Sequence, residues 1–147
     1  MQTIGPTTKE DERETNILLV EDDEVDVMNV QRAFKKNNIR NPLFHAGNGL
    51  DALDALRSGR MPGDRRLVLL DLNMPRMGGI EFLRELRADP ELRHTPVVVL
   101  TTSNDDRDRV EAYNLNVAGY ILKPVTLANF IETMAALNRY WTMSELP

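Results

Sequence analysis

Five short apolar runs alternate with five stretches of helical periodicity, and this alternation restricts the chain more than any single residue does. Strands separated by amphipathic helices fold as a parallel sheet covered by helices on both faces, because each crossover must bring the chain back to the same end of the sheet. The runs lie at residues 16–20, 41–46, 67–70, 95–100 and 118–122. The third, Leu67-Val68-Leu69-Leu70, leads into Asp71 and is closed by Asn73 and Pro75, the pattern of a strand buried on both faces. For five strands the expected order is 2-1-3-4-5, an α/β sheet of the flavodoxin-like type.

The helices between them are legible in part. Val27, Val30 and Phe34 line one face of the first, which fades near Lys36-Asn37-Asn38. Asn48-Gly49 opens the second, with Leu50, Leu53 and Leu56 expected inward and a run of breakers at 58–63 to stop it. Gly78-Gly79 precedes the third, whose face takes Ile80, Leu83 and Leu86, or Phe82 and Leu86; Ala88-Asp89-Pro90 ends it. Asn104-Asp105-Asp106 is a good helix start, and the weakly apolar helix that follows has Val110 and Tyr113 as its expected core contacts. Thr126 caps the last helix, where Leu127, Phe130, Ile131, Met134, Leu137 and Trp141 recur at helical spacing. His45, beside a strand, is read as a packing residue without a role.

A length of 147 residues fits one domain, here assigned to residues 15–141, with a polar, disordered tail at 1–14 and a short tail at 142–147. The net charge of −5 argues against a nucleic-acid surface, which needs clustered Lys and Arg. The chain has no cysteine, which removes disulfides and thiolate metal sites and permits a cytoplasmic location. No apolar run approaches the length of about 18 residues needed to cross a membrane, and the N-terminus lacks the apolar segment of a secretion signal.

In open parallel sheets, chemistry gathers outside the carboxyl ends of the strands. Strand one ends in Glu21 and Asp22, strand three in Asp71, strand four in Thr101 and strand five in Lys123. These strands are neighbours in the expected order, so the five side chains converge. Three carboxylates together repel one another and raise each other's pKa unless a cation intervenes. Mg²⁺ suits Glu21, Asp22 and Asp71, with the backbone carbonyl of Asn73 as a further oxygen, and the lack of His or Cys disfavours zinc. A metal, a lysine and a hydroxyl around one carboxylate are equipment for a phosphoryl group: Asp71 as nucleophile, with Mg²⁺, Lys123 and Thr101 stabilising phosphoryl oxygens. Alone, Asp71 could equally open a turn, Lys123 be a surface cation and Thr101 an ordinary strand residue.

The motifs Leu18-Leu19-Val20-Glu21-Asp22, Leu70-Asp71-Leu72-Asn73-Met74-Pro75, Val99-Leu100-Thr101-Thr102 and Gly119-Tyr120-Ile121-Leu122-Lys123-Pro124 resemble the receiver domain of bacterial two-component response regulators. The resemblance covers about residues 16–140. It implies that Asp71 is the phospho-acceptor, Glu21 and Asp22 the metal-binding acids, Thr101 and Lys123 the switch pair, and Tyr120 the aromatic that moves on activation. It also implies a cis Lys123–Pro124 bond. A narrower resemblance runs from Arg87-Ala88-Asp89-Pro90-Glu91-Leu92 through 95–103 to the aromatic end of the last helix. These stretches are similar to the single-domain regulators paired with phytochrome kinases. Two departures stand out. Gly78 replaces a frequent Asp, which leaves the loop after Asp71 freer, and Thr102 replaces a frequent Ala, which narrows access to the site.

On this reading the partner is a sensor histidine kinase of the phytochrome type. No output domain is expected after the last helix, so the signal leaves through the face of helix four, strand five and helix five. Tyr140 and Trp141 are expected there as the aromatic part of a homodimer contact. Three other readings are weaker. An aspartyl-nucleophile phosphatase needs a second Asp where Asn73 stands; a nucleotide or flavin module would meet Glu21-Asp22-Asp23, which repels phosphate; a phosphorylation-independent scaffold would have no use for all five site residues.

Overall fold

The computed structural model describes residues 14–62, 65–144 and 146. The expected N-terminal tail, apart from Glu14, and Gly63 of the breaker run lie outside the described residues. In chain order the elements are β1 (Asn16–Val20), α1 (Glu24–Lys36), β2 (Leu43–Ala46), α2 (Gly49–Arg57), β3 (Arg66–Leu70), α3 (Gly79–Ala88), β4 (Val97–Thr101), α4 (Asp106–Asn114), β5 (Gly119–Leu122) and α5 (Leu127–Met143). The strands form one parallel sheet in the order β2-β1-β3-β4-β5, as the alternation predicts. Helix α5 extends two residues beyond the domain boundary drawn at 141.

Period-two alternation divides the core between the two faces of the sheet. Leu18, Val20, Val68, Leu70, Val97 and Val99 pack with α2, α3 and Ala112 of α4. Ile17, Leu19, Leu67, Leu69, Val98 and Leu100 pack with α1 and α5. Strands covered on both sides carry no polar face, which is why these runs read as continuous hydrophobic segments.

Three helix assignments need correction. Leu50 is exposed; α2 turns Ala52, Leu53 and Leu56 inward instead. In α3, Phe82, Leu83 and Leu86 are all buried, so its apolar stripe is wider than either expected face. Val110 and Tyr113 of α4 are 59% and 49% exposed, and Ala112 is the helix's buried residue. A small side chain lets α4 lie close to the core, and its larger apolar residues then fall on the outer face.

The β3–α3 loop is held by steric fit. Arg76 and Met77 occupy the left-handed region, with φ of 52° and 76°, a conformation that side chains bearing a Cβ rarely adopt. The Met77 carbonyl accepts the Gly49 N–H at 3.1 Å. A Cβ on Gly79 would meet Leu72 Cα at 2.6 Å and the Asp71 carbonyl at 2.7 Å, both main-chain atoms. Gly78 has an ordinary extended conformation (φ −71°) and offers no side-chain cap. Gly79 is demanded by close packing, and the Met77 carbonyl ties the loop to Gly49 at the start of α2.

Candidate phosphoryl-transfer site

The parallel register decides which side chains meet. Val20 is level with Leu70, and Leu70 with Val99. The next residues continue the ladder: the Asp71 N–H donates to the Val20 carbonyl and the Glu21 N–H to the Ala46 carbonyl, each at 3.0 Å. Thr101 pairs with Leu122, and the Lys123 N–H donates to the Thr101 carbonyl at 2.7 Å. Each of these side chains thus leaves the sheet from a hydrogen-bonded position.

Asp71 is buried, and its two oxygens face different partners. Thr101 Oγ1 donates to Oδ1 at 2.7 Å, with the Asn73 N–H 3.4 Å from the same oxygen. Lys123 Nζ lies 3.6 Å from Oδ2. The ammonium is nearer to Glu21 Oε1 and Asp26 Oδ2, at 2.8 Å each. Glu21 Oε2 accepts the Asp23 N–H at 3.1 Å.

Burial pushes the Glu21 carboxyl up to about 7, against the opposing bonds from Lys123 and the Asp23 N–H; the Asp71 charge raises it further. Burial works against the Lys123 charge too. Its bonds to Asp26 and Glu21, with the field of Asp71, more than offset that and hold the ammonium above the ordinary lysine range.

Glu21, Asp22 and Asp71 each offer a carboxylate oxygen, and these atoms all lie within 4.8 Å of one another. The donor set is all oxygen, two of its three residues are buried, and Glu21 is protonated more readily than an ordinary carboxyl. Such a set fits a hard divalent cation, which would relieve the repulsion.

A model of the response regulator receiver domain matches residues 17–135. The chain belongs to this family. The receiver is 37% identical over 128 residues to response regulator Rcp1 of Synechocystis sp., covering 85% of this chain and 87% of that protein. Two solved structures are similar to it. The phosphorylated cyanobacterial phytochrome response regulator RcpA has a TM-score of 0.83 at 32% identity, covering 91% of this chain and 99% of that one. The Mn²⁺-bound form of Rcp1 has a TM-score of 0.79 at 36% identity, covering 90% and 99%. Members of this family are signalling switches that take phosphoryl groups from histidine kinases.

Tyr120 of the receiver is half-buried, and its hydroxyl donates to the Ser103 carbonyl at 3.0 Å, two residues after Thr101. Its ring lies 6.5 Å from that of Tyr113, and the Arg109 guanidinium is 5.8 Å from its centroid. The aromatic thus ties β5 to the loop that carries Thr101 toward α4.

Trp141 is not available as an interface residue. It is fully buried, 5.9 Å from the Phe34 ring, and its indole Nε1–H reaches Asn41 Oδ1 at 3.4 Å. The heptad-like stripe of α5 carries Trp141 onto the same inward face as Phe130, Met134 and Leu137. Tyr140, one position round the helix, is 36% exposed. The Lys123–Pro124 bond is trans, since there is no cis peptide among the described residues. The trans form is the intrinsically favoured one by about 0.5–1 kcal/mol, and from it the lysine reaches Glu21, Asp26 and Asp71.

Two contributors have no sequence signature. Asp26 follows four other acids and looks like part of the solvated first turn of α1, yet its carboxylate bonds Lys123. His45 Nε2 donates to the Glu21 main-chain carbonyl at 2.7 Å, steadying the acidic end of β1.

Proposed function

We propose that the protein is a phosphoryl-accepting switch in which Asp71 takes the phosphoryl group from the phosphohistidine of a sensor kinase. An Asp71 oxygen attacks phosphorus, the phosphorus–nitrogen bond breaks, and the imidazole leaves with the electron pair. The observation that carries this reading is the division of one carboxylate between two partners, Thr101 on Oδ1 and Lys123 on Oδ2. Both can serve a phosphoryl group attached there, the lysine by charge and the threonine by its hydrogen bond. Glu21, Asp22 and Asp71, with the Asn73 carbonyl, would hold Mg²⁺, which when bound supplies positive charge to the phosphoryl oxygens.

Similarity to RcpA, a phytochrome response regulator, supports a phytochrome-type kinase as the donor; a cytoplasmic meeting place is part of the same proposal. The signal leaves through α4, β5 and α5, where Val110, Tyr113, Leu122, Val125 and Tyr140 are exposed. Exposed apolar residues on these elements and their connecting loop support a homodimer there. Sedimentation at high concentration, with and without acetyl phosphate, checks this: a dimer is expected, and a monomer in both conditions rejects it.

The deciding experiment is intact-protein mass after incubation with acetyl phosphate, with and without Mg²⁺, beside Asp71→Asn. One phosphate adduct is expected, dependent on Mg²⁺ and absent from the variant. A folded protein that acquires none rejects the reading and favours a phosphorylation-independent scaffold.

A further inference from the structure

We infer that Asp26 is a positioning residue for phosphoryl transfer: from α1 it holds the Lys123 ammonium away from Asp71, where it can meet an incoming phosphoryl oxygen. The inference rests on the reading of Asp71 as acceptor.

Lys123 has three N–H donors and three carboxylates around it. Two contacts are short, to Asp26 and Glu21 at 2.8 Å, and one is long, to Asp71 at 3.6 Å. The ammonium is therefore drawn off the nucleophile toward α1. The two short partners differ. Glu21 belongs to the carboxylate set within reach of a shared cation, and Asp26 does not. When Glu21 divides its charge between a cation and the lysine, Asp26 remains the acid committed to Lys123 alone.

Asp26 is itself well placed to do this. Asp23 caps α1, its Oδ1 accepting from the Val25 N–H at 2.9 Å and from the Asp26 N–H at 3.4 Å. The Lys123 and Asp26 side chains are only 6% and 18% exposed, so water competes little for the pair. A lysine stem is flexible; a counter-charge on a capped helix turn removes much of that freedom. Without Asp26 the remaining open carboxylate is Asp71. The ammonium would close the 3.6 Å gap and cover Oδ2, masking the nucleophile before the donor arrives.

The test is the rate of phosphorylation by acetyl phosphate in saturating Mg²⁺, read by intact mass, for the wild type, Asp26→Ala, Asp26→Glu, Lys123→Ala and the Asp26→Ala/Lys123→Ala double variant. Asp26→Ala is expected to slow the reaction by up to about a hundredfold, the scale of a group misplaced by about 1 Å, and Asp26→Glu to recover part of it. In the Lys123→Ala background, Asp26→Ala should change nothing. A urea-unfolding cycle in EDTA gives a second readout free of metal and donor: the two destabilisations should be non-additive. An unchanged rate for Asp26→Ala, slowing that persists without Lys123, or an additive unfolding cycle overturns the inference. A wild type that takes up no phosphate overturns the Asp71 reading and this inference together, whereas a phosphorylated wild type with an indifferent Asp26→Ala overturns the inference alone.

Discussion

Thr101 Oγ1 and Asp71 Oδ1 are joined by a 2.7 Å hydrogen bond across the ends of β4 and β3, with both residues buried. Thr101→Val keeps the shape and deletes the donor. It should cost about 1.5–3 kcal/mol, the range for a hydrogen bond to a charged group, with Thr101→Ser recovering most of it. Urea unfolding without metal checks this, and a Val variant as stable as the wild type would remove the bond from the account of the site.

The approach of Gly79 to the Leu72 and Asp71 main chain makes a sharper claim. In Gly79→Ala the new Cβ falls 2.6–2.7 Å from atoms that cannot rotate away. Overpacking of this kind costs about 1–3 kcal/mol, and here it displaces the residue that follows β3. Gly78→Ala, whose Cβ would lie 3.3 Å from the Leu72 carbonyl, should cost clearly less. Equal losses in the two variants would contradict the packing described for this loop.

The raised Glu21 carboxyl fixes a pH dependence. A group whose folded pKa exceeds its unfolded value adds stability that is complete below the unfolded value, 4.5, and lost as pH rises through about 7. In EDTA the wild type should therefore lose stability relative to Glu21→Gln between pH 5 and 8. Lys123, held above its ordinary range, stays charged throughout and contributes no slope there. Divalent-cation affinity should climb over the same window, because the ion binds the ionised acid. Calorimetric titrations at pH 5.5 and 7.5 provide the check, and equal affinities would refute it.

Trp141 closes the α1–α5 side of the core against Phe34. Trp141→Ala should cost about 3–5 kcal/mol, measured by urea unfolding. Its fluorescence, the chain's single tryptophan signal, should be blue-shifted in the folded state and unaltered by dilution. A change in emission on dilution would place the ring in a contact between copies.

The sheet and the five site residues could be read from sequence because strand ends are punctuated. A buried apolar run that stops at Asp71 or Thr101 states both the element and its exit, and neighbouring strands bring the exits together. Helical residues carry no such punctuation. Asp26 follows the acidic run Glu21-Asp22-Asp23-Glu24 with nothing to set it apart, and only the reach of Lys123 from the far strand gives it a partner. Val110 and Tyr113 are misplaced because a nine-residue helix with few apolar side chains has no clear stripe to orient it. Trp141 invites an interface reading by composition, whereas its spacing from Phe130, Met134 and Leu137 already puts it in the core.

Helix α4 buries one side chain, Ala112. Its other ties lie at or near the surface: Tyr113 and Arg109 against the Tyr120 ring, the Ser103 hydroxyl donating to Asp108, the ion pair of Glu111 with Arg84, and the grip of Arg87 on the carbonyls of Leu115 and Asn116 just beyond its end. A part seated so lightly can be shifted to a second arrangement at low cost. Gaps of a few kcal/mol leave the minor arrangement populated at roughly 0.1–10%. On the proposed function, a receiver whose α4 is held this lightly would answer a single phosphate with ease, and by the same measure a small share of molecules would take the active arrangement without one. Its sensitivity and its background noise would then be one quantity, set by how firmly α4 is held.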